Sequence, residues 1–438
     1  MLTHPFALSS CASALYTLAS SLLTRAQVLT GGAERGFSSL HFSPDGSRLS
    51  SVGQKPDFLL TVWDWTEERI MLHTKAFGQD VYKVAFSQDD PGRLTTSGTG
   101  HIRFWNMART FTGLKLQGEI GKFGKIDLSD VDAFVELPDS KVVSSSETGH
   151  LLLWEGNFVK CRFVTSSAPP SLMYDKAGEE LIFGDVPAHA GGIYSIIHDR
   201  DVDMIITAGA DGNIKYWSFP EIDVAEVDSD ITMDYPIIPQ KTIPAGPEVS
   251  IKCIVDCGES YLIEDDNGSL CRQSKTATSA DTKETLWEFH SGSIAGVAVS
   301  PTEHFCATGG ADGKVCIWDY VSKVIVGSYK NNQSCICLAA VPTSLDETGR
   351  TFAAGFSDGV LRCFVRTEDE SGISLQQVTK PHNGPVTCIS YSPDGNYVVT
   401  GGQDGFVFVL KTPGSANPTD PYTPIGFVKT ADIPVSQE

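Results

Sequence analysis

Apolar and polar residues alternate along much of this chain in short runs with a period of two, and glycine-containing turns separate the runs. KVCIWDY (314–320) is typical: β-branched and aromatic residues alternate as a half-buried antiparallel strand requires. SPDG at 43–46 and 392–395, and ADG at 210–212 and 311–313, are tight-turn signals between such strands. The stretch CATGGADGKVCIWDY (306–320) therefore reads as a strand ending at Thr308, a turn at Gly309–Gly313, and a strand closing on Trp318-Asp319. A phosphate loop needs a Gly-Lys-Ser/Thr ending that opens a helix, and here a strand follows.

The pattern repeats. His189 is followed by Thr207 at +18, Asp211 at +22 and Trp217 at +28; His290, Thr308, Asp312 and Trp318 fall at the same offsets. His382, Thr400 and Asp404 keep the spacing, with Leu410 in the Trp position. Weaker copies end at Trp63, Trp105 and Trp154, and two without Trp lie at 249–273 and around Phe364, which makes eight units. A repeat of this kind predicts strands that pack as identical small sheets.

These units resemble the WD40 repeat, whose terminal Trp-Asp appears literally at Trp63-Asp64 and Trp318-Asp319. A four-stranded twisted sheet cannot bury both faces alone, and radial packing of several such sheets solves that problem. The expectation is an all-β WD40 β-propeller of seven or eight four-stranded blades over residues 34–411. It is flanked by a segment 1–33 of unassigned structure and by a Pro-rich stretch 412–438. That last stretch reads as a linker, although IGFV (425–428) also suits a closing strand. In the WD40 pattern the repeated side chains are linked inside a blade. His189, Thr207, Asp211, Trp217, His290, Thr308, Asp312, Trp318, His382, Thr400 and Asp404 are accordingly the expected blade staples.

His, Asp and Thr within one short stretch also suit a nucleophilic triad, but an active site needs one constellation whereas a fold repeats its staples. No catalytic residue, metal ligand set or cofactor site is assigned. The eleven cysteines sit mostly at apolar strand-like positions and read as buried thiols. Cys253 with Cys257 and Cys335 with Cys337 do not complete a zinc set.

Charge narrows the partners. Lys plus Arg number 33 against 54 Asp plus Glu, a formal net charge of −21, which repels nucleic acid and anionic membranes. The start MLTHPFALSSCASALYTLASSLLTRAQ lacks a positive residue before its apolar part and is not read as an export signal, so a cytoplasmic location is expected. Proteins are the expected partners.

Function in a repeat scaffold sits in its loops and rims. The connection 107–130 holds a basic and aromatic island, Phe111, Lys115, Lys122, Phe123 and Lys125, which is the candidate partner-binding surface. The acidic, proline-containing segment 219–248 reads as an extended exposed insertion.

FTGLKLQG (111–118) and FGK (123–125) are not required by the repeat, and with the flanking units they are similar to the cilia- and flagella-associated protein 44 family. That resemblance implies a scaffold in the assembly that tethers an inner-arm dynein to the doublet microtubule. Its location would be the cytoskeleton of a cilium or flagellum, its partners other axonemal proteins, and the doublet itself an indirect contact. A propeller acting directly on tubulin, related to the echinoderm microtubule-associated proteins, shares WDW at 63–65 and is the alternative reading, together with a generic WD40 adaptor.

Overall fold

The computed structural model describes residues 29–111, 113–165, 186–246, 249–276, 283–369, 372–413 and 421–430. Most of the 1–33 segment, and the 412–438 stretch except 412–413 and 421–430, lie outside the described residues.

Short alternating strands joined by tight turns pair with their sequence neighbours, which gives eight antiparallel sheets, the blades of a WD40 β-propeller fold. The chain divides into two compact units between Trp287 and Glu288. In the first unit, blade 1 contains Phe37–Phe42, Leu49–Gly53, Leu59–Asp64 and Arg69–Lys75; blade 2 contains Val81–Phe86, Arg93–Gly98, His101–Thr110 and Gly113–Ile120. Blade 3 contains Phe134–Glu136, Val142–Ser145, Leu151–Glu155 and Phe158–Val164. Blade 4 contains Ile193–Asp199, Met204–Gly209, Asn213–Ser218 and Lys241–Pro244, and blade 5 contains Ile251–Asp256, Ser260–Asp265, Ser269–Ser274 and Lys283–Glu288. In the second unit, blade 6 contains Ile294–Val299, Phe305–Gly310, Lys314–Asp319 and Val324–Lys330. Blade 7 contains Cys335–Ala340, Thr351–Phe356, Leu361–Arg366 and Ile373–Thr379; blade 8 contains Val386–Tyr391, Tyr397–Gly402, Phe406–Lys411 and Thr423–Lys429. The eight sheets coincide with the eight sequence units, and IGFV lies in the fourth strand of blade 8.

Neighbouring blades bury each other. Val52, Leu60 and Val62 of blade 1 pack on Val84, Leu94 and Trp105 of blade 2. Ala307, Val315 and Ile317 of blade 6 pack on Phe352, Phe356 and Phe364 of blade 7. The Trp position, filled by Phe364 in blade 7 and Leu410 in blade 8, is buried in both. Its role as an apolar plug thus survives the loss of the indole. The turn after Thr308 needs its glycine: Gly313 has φ +78°, and a Cβ there would lie 2.1 Å from the Asn331 carbonyl oxygen.

The segment 219–248 corrects the sequence expectation. It is not an extended exposed insertion. A helix, Phe219–Asp223, capped by Ser218, opens it, and Ile222 and Ala225 are buried with Trp217, Ile193 and Ile205. Asp234–Pro236 then adds to blade 3 as a fifth, parallel strand, and Lys241–Pro244 supplies the fourth strand of blade 4. Three of its carboxylates are paired: Arg162 grips Asp234 through two bonds of 2.7 and 3.0 Å, Lys141 reaches Asp223 at 2.9 Å, and Lys160 reaches Glu226 at 3.4 Å. Those carboxylates face blade 3.

Candidate interaction surface

In blade 4 the four repeated side chains form one continuous chain. His189 Nδ1 lies 2.8 Å from Asp211 Oδ1, His189 Nε2 lies 2.7 Å from Thr207 Oγ1, and the Trp217 indole donates to Thr207 Oγ1 at 2.8 Å. A neutral imidazole that donates from Nδ1 to the carboxylate must accept at Nε2, so the threonine hydroxyl donates to the ring and accepts from the indole. Blade 6 repeats the chain through His290, Asp312, Thr308 and Trp318, at 3.1, 2.8 and 2.7 Å. In blade 8, His382 meets Asp404 and Thr400, each at 3.0 Å, and Leu410 offers no donor. Trp217 is fully buried, whereas Trp318 is only half-buried.

The carboxylates are held ionised. Burial pushes the Asp312 carboxyl up, but the His290 ring and the Lys314 and Ser291 backbone N–H groups outweigh it and bring the group down to about 2. Asp211 is driven further in the same direction against its burial, by His189 and Asn213. The atoms match a nucleophilic triad, yet the Thr207 and Thr400 hydroxyls are fully buried and already engaged. A substrate carbonyl has no approach to either oxygen. Blades 1, 2 and 3 keep only the last link: Trp63 to Ser51 at 2.8 Å, Trp105 to Thr96 at 2.9 Å and Trp154 to Ser144 at 2.8 Å. Ser144 keeps the ten-residue spacing to its Trp that the full repeats show and was legible in the sequence, whereas Ser51 and Thr96, at separations of 12 and 9, fall off that spacing.

Among the described residues no group of three or more His, Cys, Asp or Glu side chains is placed to hold a metal ion, and no helix is long and apolar enough to cross a membrane. The described cysteines are free, and burial pushes the Cys161, Cys316 and Cys335 thiols up to about 12, which keeps them protonated.

The basic and aromatic island does not form one patch. Phe111 stands at the tip of the blade 2 hairpin, wholly exposed, with Lys115 exposed on the return strand. Lys122 lies over the Phe158 ring at 4.6 Å, and its backbone joins blade 3 through Asn157 at 2.8 Å. Lys125 Nζ donates to the Ser229 carbonyl oxygen. Phe123 corrects the expectation most clearly: it is 6% exposed and meets Trp154 edge-on, with ring centroids 5.1 Å apart. It is a core residue, because the chain passes from blade 2 into blade 3 there and Gly121 lets it cross close to Ile102 and Trp154. Arg109, exposed on the outgoing strand beside Phe111, belongs with the hairpin and was not singled out from the sequence. Reading both strands of the hairpin together would have found it.

Residues 182–218 match the family described as WD domain, G-beta repeat, and residues 293–416 match WDR90, 4th beta-propeller. Cilia- and flagella-associated protein 44 of Mus musculus is 36% identical over 92% of this chain and 22% of its own length; the Chlamydomonas reinhardtii protein of that name is 37% identical over 94% of this chain and 23% of its own. Echinoderm microtubule-associated protein-like 3 of Homo sapiens is 25% identical over 89% of this chain and 40% of its own length. The chain spans less than a quarter of the length of the two cilia- and flagella-associated relatives. It belongs to the WD40-repeat proteins and, within them, resembles the cilia- and flagella-associated protein 44 family over nearly its whole length.

Proposed function

We propose that this chain is a non-catalytic WD-repeat scaffold of motile cilia or flagella, binding other axonemal proteins in the assembly that tethers inner-arm dynein to the doublet microtubule. The observation that carries the reading is the 36–37% identity to cilia- and flagella-associated protein 44 across more than nine-tenths of the chain. The blades support it: their repeated His, Thr and Asp side chains are consumed by internal hydrogen bonds, so chemistry gives way to surface recognition.

Likeness to an echinoderm microtubule-associated protein-like protein favours a second reading, direct binding to tubulin. A net charge of −21 opposes docking on an acidic polymer. Attachment through neighbouring proteins is therefore preferred. A tagged product expressed in ciliated cells is expected along the axoneme, and a diffuse cytoplasmic signal would overturn the proposal. Salt-sensitive pelleting of the purified chain with bare microtubules would favour the second reading instead.

A further inference from the structure

The outer hairpin of blade 2 differs from its counterparts in length, register and charge. Its strands have ten and eight residues, against six and seven in blades 1 and 6. In blades 1, 3, 6, 7 and 8 a bulge just before the Trp position interrupts the pairing of the third and fourth strands. The four-pair ladder of blade 4 stops before its Trp position, and among these blade 2 alone pairs through that position without interruption, from Arg103↔Ile120 to Thr110↔Gly113. A bulge bends and twists a strand pair, so its absence lets this ribbon run on past the packed body. Met107 and Leu116 are the last pair packed on the core, and the three pairs beyond them extend the ribbon by about 10 Å. Phe111 is at the end, 107% exposed.

Charge follows the same geometry. From Pro91 to Gly118 the sequence has no Asp or Glu but has Arg93, Arg103, Arg109 and Lys115, in a chain of net charge −21. Arg93 is turned toward Glu136 at 3.8 Å, and Arg103 lies over Trp105 and donates to the Ala76 and Gly118 carbonyls. Arg109 and Lys115 stand exposed on the projecting part, and among the described residues neither has an ion-pair partner.

We propose that this ribbon is a docking arm that seats Phe111 in an apolar pocket of an acidic partner protein, with Arg109 and Lys115 pairing carboxylates on the pocket rim. The inference rests on the axonemal reading above. A rigid aromatic side chain brings a large apolar surface with few rotamers to freeze, and the flanking cations fix register and speed encounter. A second copy of this chain is also acidic, but two bodies of net charge −21 repel one another over their whole surfaces. A different protein is the occupant.

The probe is an axoneme washed with salt to remove its own copy of the protein, titrated with the purified chain. Phe111→Ala is expected to weaken half-saturation roughly 10- to 30-fold, as loss of an interface anchor does. Arg109→Glu with Lys115→Glu is expected to weaken binding and flatten its salt dependence. A photo-crosslinking side chain at position 111 is expected to label Asp- and Glu-rich peptides of other proteins. Wild-type binding that both variants leave unchanged overturns the arm and leaves the axonemal reading standing. No binding by the wild type overturns both, and crosslinks that fall within this chain itself assign the arm to self-association and overturn the stated occupant.

Discussion

In blade 6, His290, Thr308, Asp312 and Trp318 form a hydrogen-bonded chain running through the sheet, whereas blade 2 keeps only the Trp105–Thr96 link of it. Blade 2 replaces the missing links by stacking: the Arg103 guanidinium lies 4.3 Å from the Trp105 ring, and Phe77 stacks on His101 at 3.7 Å. The two solutions separate two tasks. Side chains at repeat positions are drawn inward to hold a sheet that is too small to be stable alone, and residues outside the repeat are left to shape the rim. Blade 2, which like blades 1 and 3 keeps only the indole link, has the longest hairpin and an exposed aromatic tip.

The harshest test of this division is at the Trp position. Trp217→Ala, at a fully buried site in blade 4, is expected to cost about 3–5 kcal/mol and to leave the Thr207 hydroxyl without its donor. Trp318→Ala in blade 6 removes the same hydrogen bond from a half-buried ring, so its cost falls below that of Trp217→Ala. Equal losses in urea unfolding would show that the hydrogen bond, and not the buried apolar volume, sets the contribution of this position.

Next in size is Phe123. Its edge-on contact with Trp154 and its near-complete burial predict a loss of about 3 kcal/mol or more for Phe123→Ala. Phe111→Ala, only twelve positions earlier, is expected to change stability by less than about 0.5 kcal/mol. Thermal unfolding of the two variants side by side sharpens the contrast between core and rim, and similar melting temperatures would abolish it.

Acid provides a third test. The folded Asp312 carboxyl titrates near 2, below its ordinary value of 3.8, so the folded state binds this proton more weakly than the unfolded chain does. Its contribution is complete above about pH 4 and is lost as the pH falls toward 2. The depression corresponds to roughly 2 kcal/mol. Asp312→Asn should remove that share of the acid sensitivity and flatten the loss of stability between pH 4 and 2. An unchanged profile would mean that the staple in blade 6 does not hold its carboxylate ionised.

Much of this architecture was legible because the repeat imposes a fixed spacing wherever the connections are short. The third strands ending near Trp63, Trp154 and Trp318 could be placed from the pattern alone. Blade 5, which lacks Trp, was still found by its interval. Legibility failed where the chain leaves one blade and returns. Between Ser218 and Lys241 an insertion separates the third and fourth strands of blade 4, and its prolines and acids suggested solvent exposure. Asp223, Glu226 and Asp234 are paired with Lys141, Lys160 and Arg162, residues far away in sequence, and no local pattern announces such partners. The burial of Phe123 is hidden for the same reason: its neighbours Lys122 and Lys125 look like a surface, while Trp154, which buries it, lies 31 residues on.

The smallest expected effect on stability is also the most informative about the rim. Arg109 and Lys115 are exposed, project beyond the last packed pair of the blade 2 ribbon, and touch no carboxylate among the described residues. Arg109→Glu with Lys115→Glu replaces two cations with two anions where the body of the protein is already acidic. The added repulsion is screened over roughly 8 Å at physiological ionic strength, so the folded state should lose no more than about 0.5 kcal/mol. A fall in melting temperature of many degrees would place the two cations in the fold's own electrostatics and remove the reason to assign them to a partner. A melting temperature within a degree or two of wild type, with the far-ultraviolet β signal intact, leaves them free for recognition, because residues that do not hold the blade together are the ones a rim can devote to another protein.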